Sequence, residues 1–272
     1  MIASPASHAP AAWQRQLRVE ADPDAVARLV AERLHEALGQ AAVLGLATGR
    51  TMEPVYAALR ERLLALPKPQ RQMLLGQWRS FNLDEYVGLG PDHPQSFAAF
   101  MQRQLAGPLH LAKGCISIPH GLTQDPDAEA QRYSAAVTAA GGIDLQLLGL
   151  GSNGHVGFNE PPCSASEPCR CLTLSAATRE QNAAAFGGNP ADVPCQAITL
   201  GTVEILAARR LLLVVTGAAK AQILRRALVE PPCVDVPASW LQRHPRLEVV
   251  VDEAAAAQLE ISGESGLLRA TL

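Results

Sequence analysis

The stretch that most constrains this chain is 143–162, IDLQLLGLGSNGHVGFNEPP. Its first half is an apolar run of strand length, and its second half is a glycine-broken loop that carries His155 and Glu160. A buried strand that stops in a glycine-rich loop belongs to an open α/β sheet, whose chemistry collects beyond the C-terminal ends of the strands. Gly149, Gly151 and Gly154 fit the G-x-G-x-x-G dinucleotide fingerprint. That fingerprint works by opening a helix at its third glycine, so that the helix N-terminus meets the pyrophosphate. Here Gly157 and Pro161-Pro162 follow and leave no room for a regular helix. No nucleotide cofactor is therefore expected. The loop instead offers a histidine and a carboxylate five residues apart. Such a pair can hold one tautomer and exchange protons near neutral pH. From this stretch alone, a histidine that merely caps a loop is the alternative.

The rest of the chain alternates. Helical spacing covers 22–39, 53–66, 96–105, 125–140, 202–208, 218–228 and 253–259, and strand-like runs cover 42–46, 77–83, 143–149, 171–174, 210–215 and 247–251. This alternation predicts an α/β fold, a three-layer, mostly parallel Rossmann-like sheet with helices on both faces. Residues 1–16 read as an N-terminal extension and 17–272 as a single domain, in which the polar segment 175–195 suits a mobile flap. With 272 residues, 48% of them hydrophobic and only 4% aromatic, the core should be large and rich in Leu, Val and Ala.

A net charge of −3 gives no reason to expect a nucleic-acid partner. The N-terminal residues lack the apolar run of a signal peptide, and no stretch approaches the ~20 apolar residues of a membrane span. A cytoplasmic protein with no membrane partner is expected. Cys163, Cys169 and Cys171 cluster, but C-x5-C-x-C lacks both a fourth ligand and the usual zinc spacing. They read as reduced thiols, and no metal is expected.

Three more strand ends carry polar residues. Thr48-Gly49-Arg50-Thr51 leads into a helix, as a phosphate cradle or as an ordinary N-cap by Thr51. Asp84-Glu85 closes the run 77–83, as a general base or as a solvated turn. Lys220 stands at a helix start, where a cation opposes the macrodipole unless an anionic ligand is bound. Four loops at one sheet edge converge on one crevice. Their inventory fits acid–base chemistry on a small sugar phosphate, with no cofactor.

The motifs FNLDEYVGL (81–89), HPQSF (93–97), GLGSNGHVGFNEP (149–161), ATGRT (47–51) and TGAAKA (216–221) resemble those of glucosamine-6-phosphate deaminases, over roughly residues 20–260. In the wider superfamily, 6-phosphogluconolactonases tend to carry DER and a DGHTASLFP-like loop, so Tyr86, Phe158 and Glu160 favour the deaminase branch. The resemblance implies conversion of glucosamine 6-phosphate and water to fructose 6-phosphate and ammonia. It casts Asp84, ionised well below neutral pH, as the group that moves a proton between C2 and C1. His155 would assist ring opening, with Glu160 orienting it. The lactonase reaction, a galactosamine-6-phosphate deaminase and a non-catalytic sugar-phosphate sensor are the alternatives. Relatives range from monomers to hexamers, so a homo-oligomer is one outcome.

Three departures from the family pattern stand out. Asn153 replaces a common aspartate, and can orient His155 without stabilising its cation by charge. Ala184 occupies the place of a flap arginine that helps bind the phosphate, which leaves Arg50 or Arg179 to substitute. Arg170-Cys171-Leu172 lacks the lysine of the Arg-x-Lys pair used by allosterically activated relatives, so no activation by an N-acetylated sugar phosphate is expected.

Overall fold

The computed structural model describes residue 13 and residues 16–259. Most of the expected extension lies outside the described residues, but Trp13 within it is buried in the main core.

The strands are β1 (Leu17–Glu20), β2 (Val43–Leu46), β3 (Arg79–Asn82), β4 (Asp84–Tyr86), β5 (Ile116–Ser117), β6 (Leu145–Gly149), β7 (Arg170–Thr173), β8 (Gln196–Thr199), β9 (Leu211–Val215) and β10 (Leu247–Asp252). Seven of them form one sheet in the order β1-β10-β9-β6-β2-β3-β5. Every neighbouring pair in it is parallel. β2 and β9 are buried at every residue, as strands covered on both faces must be.

The helices are α1 (Pro23–Gly39), α2 (Met52–Leu64), α3 (Lys68–Gly76), α4 (Phe97–Met101), α5 (Gly107–Leu109), α6 (Pro126–Ala139), α7 (Ala176–Asn182), α8 (Thr202–Leu206), α9 (Ala221–Val229) and α10 (Glu253–Ala256). Their starts follow local chemistry. The Asp22 carboxylate accepts from Ala25 N at 2.7 Å and Pro23 fixes the first turn of α1, which then buries Val26, Val30, Leu34 and Leu38 on one stripe. Asp125 does the same for α6 through Ala128 N at 3.0 Å. No helix among the described residues is long and apolar enough to cross a membrane.

The run expected as one strand over 77–83 is divided. β3 ends at Asn82, and Asp84 begins β4 in a separate antiparallel sheet of order β4-β8-β7. Asp84 is thus not a solvated turn: it is the buried first residue of a paired strand. The prolines at 67 and 69 do not only break the chain, since α3 starts directly after Pro67. The helix expected over 218–228 opens as a 3₁₀ turn, Ala218–Lys220, with α9 beginning at Ala221. The segment 175–195 is ordered into α7 and two 3₁₀ turns, Ala183–Phe186 and Pro190–Asp192.

Candidate active site

β9, β6, β2 and β3 are adjacent in the sheet, and all four run the same way. From β2 the chain builds outward to β3 and β5, and from β6 it builds the other way to β9 and β10. The reversal point therefore lies between β2 and β6, where open α/β sheets leave a crevice. The loops after these two strands are Thr48–Thr51 and the glycine-rich stretch.

The glycines make room for an imidazole rather than a pyrophosphate. A Cβ on Gly151 would fall 2.3 Å from the His155 ring, so the ring lies directly against this residue. Gly154 (φ +87°) and Gly157 (φ +57°) take left-handed conformations. A Cβ on Gly157 would stand 3.1 Å from Thr199 Oγ1 and 3.2 Å from Asp84 Oδ2. The missing side chain is what lets the histidine loop rest on the Asp84 carboxyl.

His155 Nδ1 lies 2.6 Å from Asn153 Oδ1, which also accepts the His155 backbone N–H at 3.2 Å. An amide oxygen only accepts, so Nδ1 carries the proton and Nε2 keeps a lone pair. Burial pushes the imidazole pKa down to about 4, with the nearby Glu160 charge opposing and Lys220 assisting. The ring is therefore neutral at physiological pH. Glu160 is not its hydrogen-bond partner. The Glu160 carboxylate accepts from Ser175 N at 3.0 Å, from Ser175 Oγ at 2.7 Å and from Thr178 Oγ1. Asn153 orients the histidine, while Glu160 acts on it by charge and ties the loop to the start of α7.

Asp84 is 5% exposed, and burial together with the neighbouring Glu85 pushes its pKa up to about 8. This overturns the expectation of a carboxylate ionised well below neutral pH. Glu85 has a different task. Its carboxylate accepts from Tyr86 N, Phe97 N and Ala98 N at 2.9, 3.0 and 2.9 Å, and Ser96 Oγ accepts from Ala99 N at 3.0 Å. The DEY and HPQSF motifs are thus one structural unit, in which Glu85 and Ser96 satisfy the first turn of α4. Tyr86 packs among Phe97, Phe158 and Phe186, with ring centroids 5.0, 5.2 and 5.6 Å away.

In the loop after β2, Gly49 has φ +100° and Thr51 makes no side-chain capping bond to α2. Arg50 is close enough to Lys220 to depress the lysine pKa, second only to burial. Neither cation has a carboxylate within ion-pair distance among the described residues. Two neighbouring cations without such a partner among the described residues repel each other and favour an anion between them. Arg50, Thr51 and Thr216 also line an open pocket of about 350 Å³, together with Pro23, Val26 and Val55. Arg179 is engaged elsewhere. Its guanidinium donates to the carbonyls of Pro190 (2.8 Å), Ala191 (3.4 Å) and Val193 (3.3 Å). Of the two arginines expected to replace the residue missing at Ala184, only Arg50 stands with Lys220.

Several residues of the site carry no sequence expectation. Thr199 is fully buried beside the loop and Asn159 within it, and each makes a hydrogen bond to a backbone group 41 residues away, Thr199 with Phe158 N and Asn159 with Leu200 O. Ser175 had a local signal. It precedes α7 as an N-cap, and its Oγ accepts from Thr178 N at 3.1 Å.

A family model described as glucosamine-6-phosphate isomerases/6-phosphogluconolactonase matches residues 20–251. The chain is 46% identical over 242 residues to the glucosamine-6-phosphate deaminase of Hahella chejuensis, which spans 88% of this chain and 90% of that protein. It superposes on the solved structure of a monomeric glucosamine-6-phosphate deaminase with a TM-score of 0.83 at 34% identity, over 89% of this chain and 99% of that one. A 6-phosphogluconolactonase from Trypanosoma cruzi, at 19% identity, shares the fold with a TM-score of 0.70, over 90% of this chain and 97% of that one.

Proposed function

Because the chain belongs to the glucosamine-6-phosphate isomerase/6-phosphogluconolactonase family, we propose that it converts glucosamine 6-phosphate and water to fructose 6-phosphate and ammonia. The reading rests on the pairing of Asp84 with the His155 loop across the bare Cα of Gly157.

In this mechanism the phosphate sits between Arg50 and Lys220, with Thr48, Gly49 and Thr51 around it. His155 Nε2 takes the proton from O1 of the cyclic sugar and returns it to the ring oxygen, which opens the ring to the aldehyde. The Asp84 carboxylate removes the C2 proton. The electron pair of the C–H bond moves into C1–C2, and the carbonyl oxygen takes a proton from the C2 ammonium group to give a neutral enolamine. Asp84 then delivers its proton to C1, which leaves a ketimine at C2. Water adds there and ammonia departs. Asn153 fixes the imidazole tautomer, and Glu160 supports any transient positive charge on it.

The high pKa of Asp84 favours the amino sugar over the lactone. An amino sugar arrives as an ammonium ion, and a cation beside Asp84 draws it into the ionised form. A neutral lactone has no such effect. Ammonia, sugar phosphate and reduced thiols all fit a cytoplasmic setting.

Ammonia release from glucosamine 6-phosphate and from galactosamine 6-phosphate tests the proposal and separates the epimers. Wild type should release ammonia from at least the former, and Asp84→Asn should lower kcat by about 10²–10⁴-fold. Activity retained in Asp84→Asn would defeat the mechanism. Turnover of neither amino sugar, with hydrolysis of 6-phosphogluconolactone, would make the chain a lactonase.

A further inference from the structure

Asp84, Thr199 and Arg170 lie side by side on one rung of the small sheet, since Thr199 is registered with Asp84 on one side and with Arg170 on the other. Directly opposed residues of antiparallel strands project their side chains to the same face. Three consecutive residues of the histidine loop rest on this rung. Gly157 stands over Asp84 and Thr199, where its missing Cβ would be 3.2 Å from Oδ2 and 3.1 Å from Oγ1. Phe158 N donates to Thr199 Oγ1 at 3.3 Å. Asn159 Oδ1 accepts from Arg170 Nη1 at 2.9 Å.

The third contact continues inward. The Asn159 amide donates to Val156 O at 3.0 Å and to Leu200 O at 2.9 Å, and the residue is fully buried. It closes the turn that follows His155 onto Val156 and ties it to the residue after Thr199. Arg170 is fixed in turn by Pro168 O at 3.2 Å and by Glu167 at 3.8 Å.

We propose that Thr199 and Arg170 are positioning residues for the reaction: with Asp84 they form a seat that registers the His155–Glu160 turn against the base. Neither needs to touch the sugar. Thr199 fixes the height of the loop through one amide, and Arg170 fixes its far end through Asn159. A slip of one residue along the rung would bring Phe158, with its side chain, onto Asp84. This inference rests on the deaminase reading for its activity readout, but the seating itself can be measured without any substrate.

The test compares Thr199→Val, Thr199→Ser and Arg170→Met with wild type, by ammonia-release kinetics and by amide hydrogen exchange. Thr199→Val and Arg170→Met should lower kcat by about 10–100-fold, as displacement of catalytic groups by an ångström does, while KM shifts by less than about 3-fold. Thr199→Ser keeps the hydroxyl and should stay near wild type. Exchange should quicken at 156–160 and stay unchanged in β9 and β10. If Arg170→Met does not fold, Arg170→Lys, which keeps the charge and loses the planar fork, carries the same expectation at smaller size. Folded variants with wild-type kcat and exchange would overturn the proposal. So would a rise in KM at constant kcat, which would place these residues in substrate binding, or a Thr199→Ser enzyme as slow as Thr199→Val. If wild type itself releases no ammonia, the substrate reading falls and the exchange data alone decide the seating.

Discussion

Asp84 and His155 occupy one site with the protonation habits of a carboxyl and an imidazole exchanged. Burial and Glu85 keep Asp84 protonated up to about pH 8, and burial keeps His155 neutral down to about pH 4. The base of the free enzyme therefore titrates where a histidine ordinarily would or above it. Between pH 5 and 10, kcat/KM should rise along a limb centred near 8, and Asp84→Asn should abolish the limb with the activity. A limb near pH 4 would show that Asp84 keeps the ordinary acidity of an aspartate. The same shift sets a stability difference. A folded-state pKa raised above the unfolded value favours folding of the protonated form, fully so below the unfolded pKa of about 3.9, and this contribution is lost as pH rises through about 8. Asp84→Asn cannot ionise, so its Tm should exceed that of wild type by several degrees at pH 8–9, with the gap closing towards pH 4. Calorimetry at the two pH values measures this directly.

At the scale of elements, the segment 175–195 is held at its start, its middle and its far part. Glu160 accepts from the first turn of α7, and Phe186 meets Tyr86 edge-on at 5.6 Å and stacks on His93 at 6.4 Å. Arg179 binds the carbonyls of Pro190 and Val193, beyond Phe186. Removing Arg179 should therefore speed amide exchange over 176–193, whereas Arg50→Ala should raise KM for the sugar phosphate by about 10-fold, the loss expected for one charge-assisted contact at ~1.4 kcal/mol. If Arg50→Ala and Arg179→Ala both left KM unchanged, the phosphate would be held by other groups. The elements differ in how far they could be read from sequence. β9 is an apolar run buried on both faces, β6 is interrupted only by the buried Gln146, and α1 carries a clean stripe with a cap, so local pattern specified them. β4 is three residues long and pairs with β8 more than a hundred positions later. No periodicity can develop over that length, and its partner is chosen by tertiary packing alone. For the same reason the motif residues Asp84, His155 and Glu160 were legible, but the partners of Glu160 and the seat of the loop were not.

At the scale of the whole molecule, the inward engagement of Arg170 bears on regulation. Its guanidinium is committed to Asn159 and Pro168 O, and the residue two places on is Leu172. The rate curve for glucosamine 6-phosphate should be hyperbolic, and N-acetylglucosamine 6-phosphate should leave it unchanged. A sigmoidal curve made hyperbolic by that compound would show that the arginine turns outward to an effector. The parallel sheet also divides the chemistry in a particular way. β2, β3 and β5 carry Arg50 and lead to Asp84, while β6, β9, β10 and β1 carry His155 and lead to Lys220. The two halves are registered through Leu44 on Leu145 and Gly45 on Gln146, where the Gln146 amide lies across the space a Cβ on Gly45 would need. In the sheet the two halves thus meet along a short joint, which α1 also spans by packing on both α2 and β10. On the proposed reading, a phosphate held by Arg50 from one half and Lys220 from the other would add a second clasp across that joint, so the cargo would help brace the site that works on it.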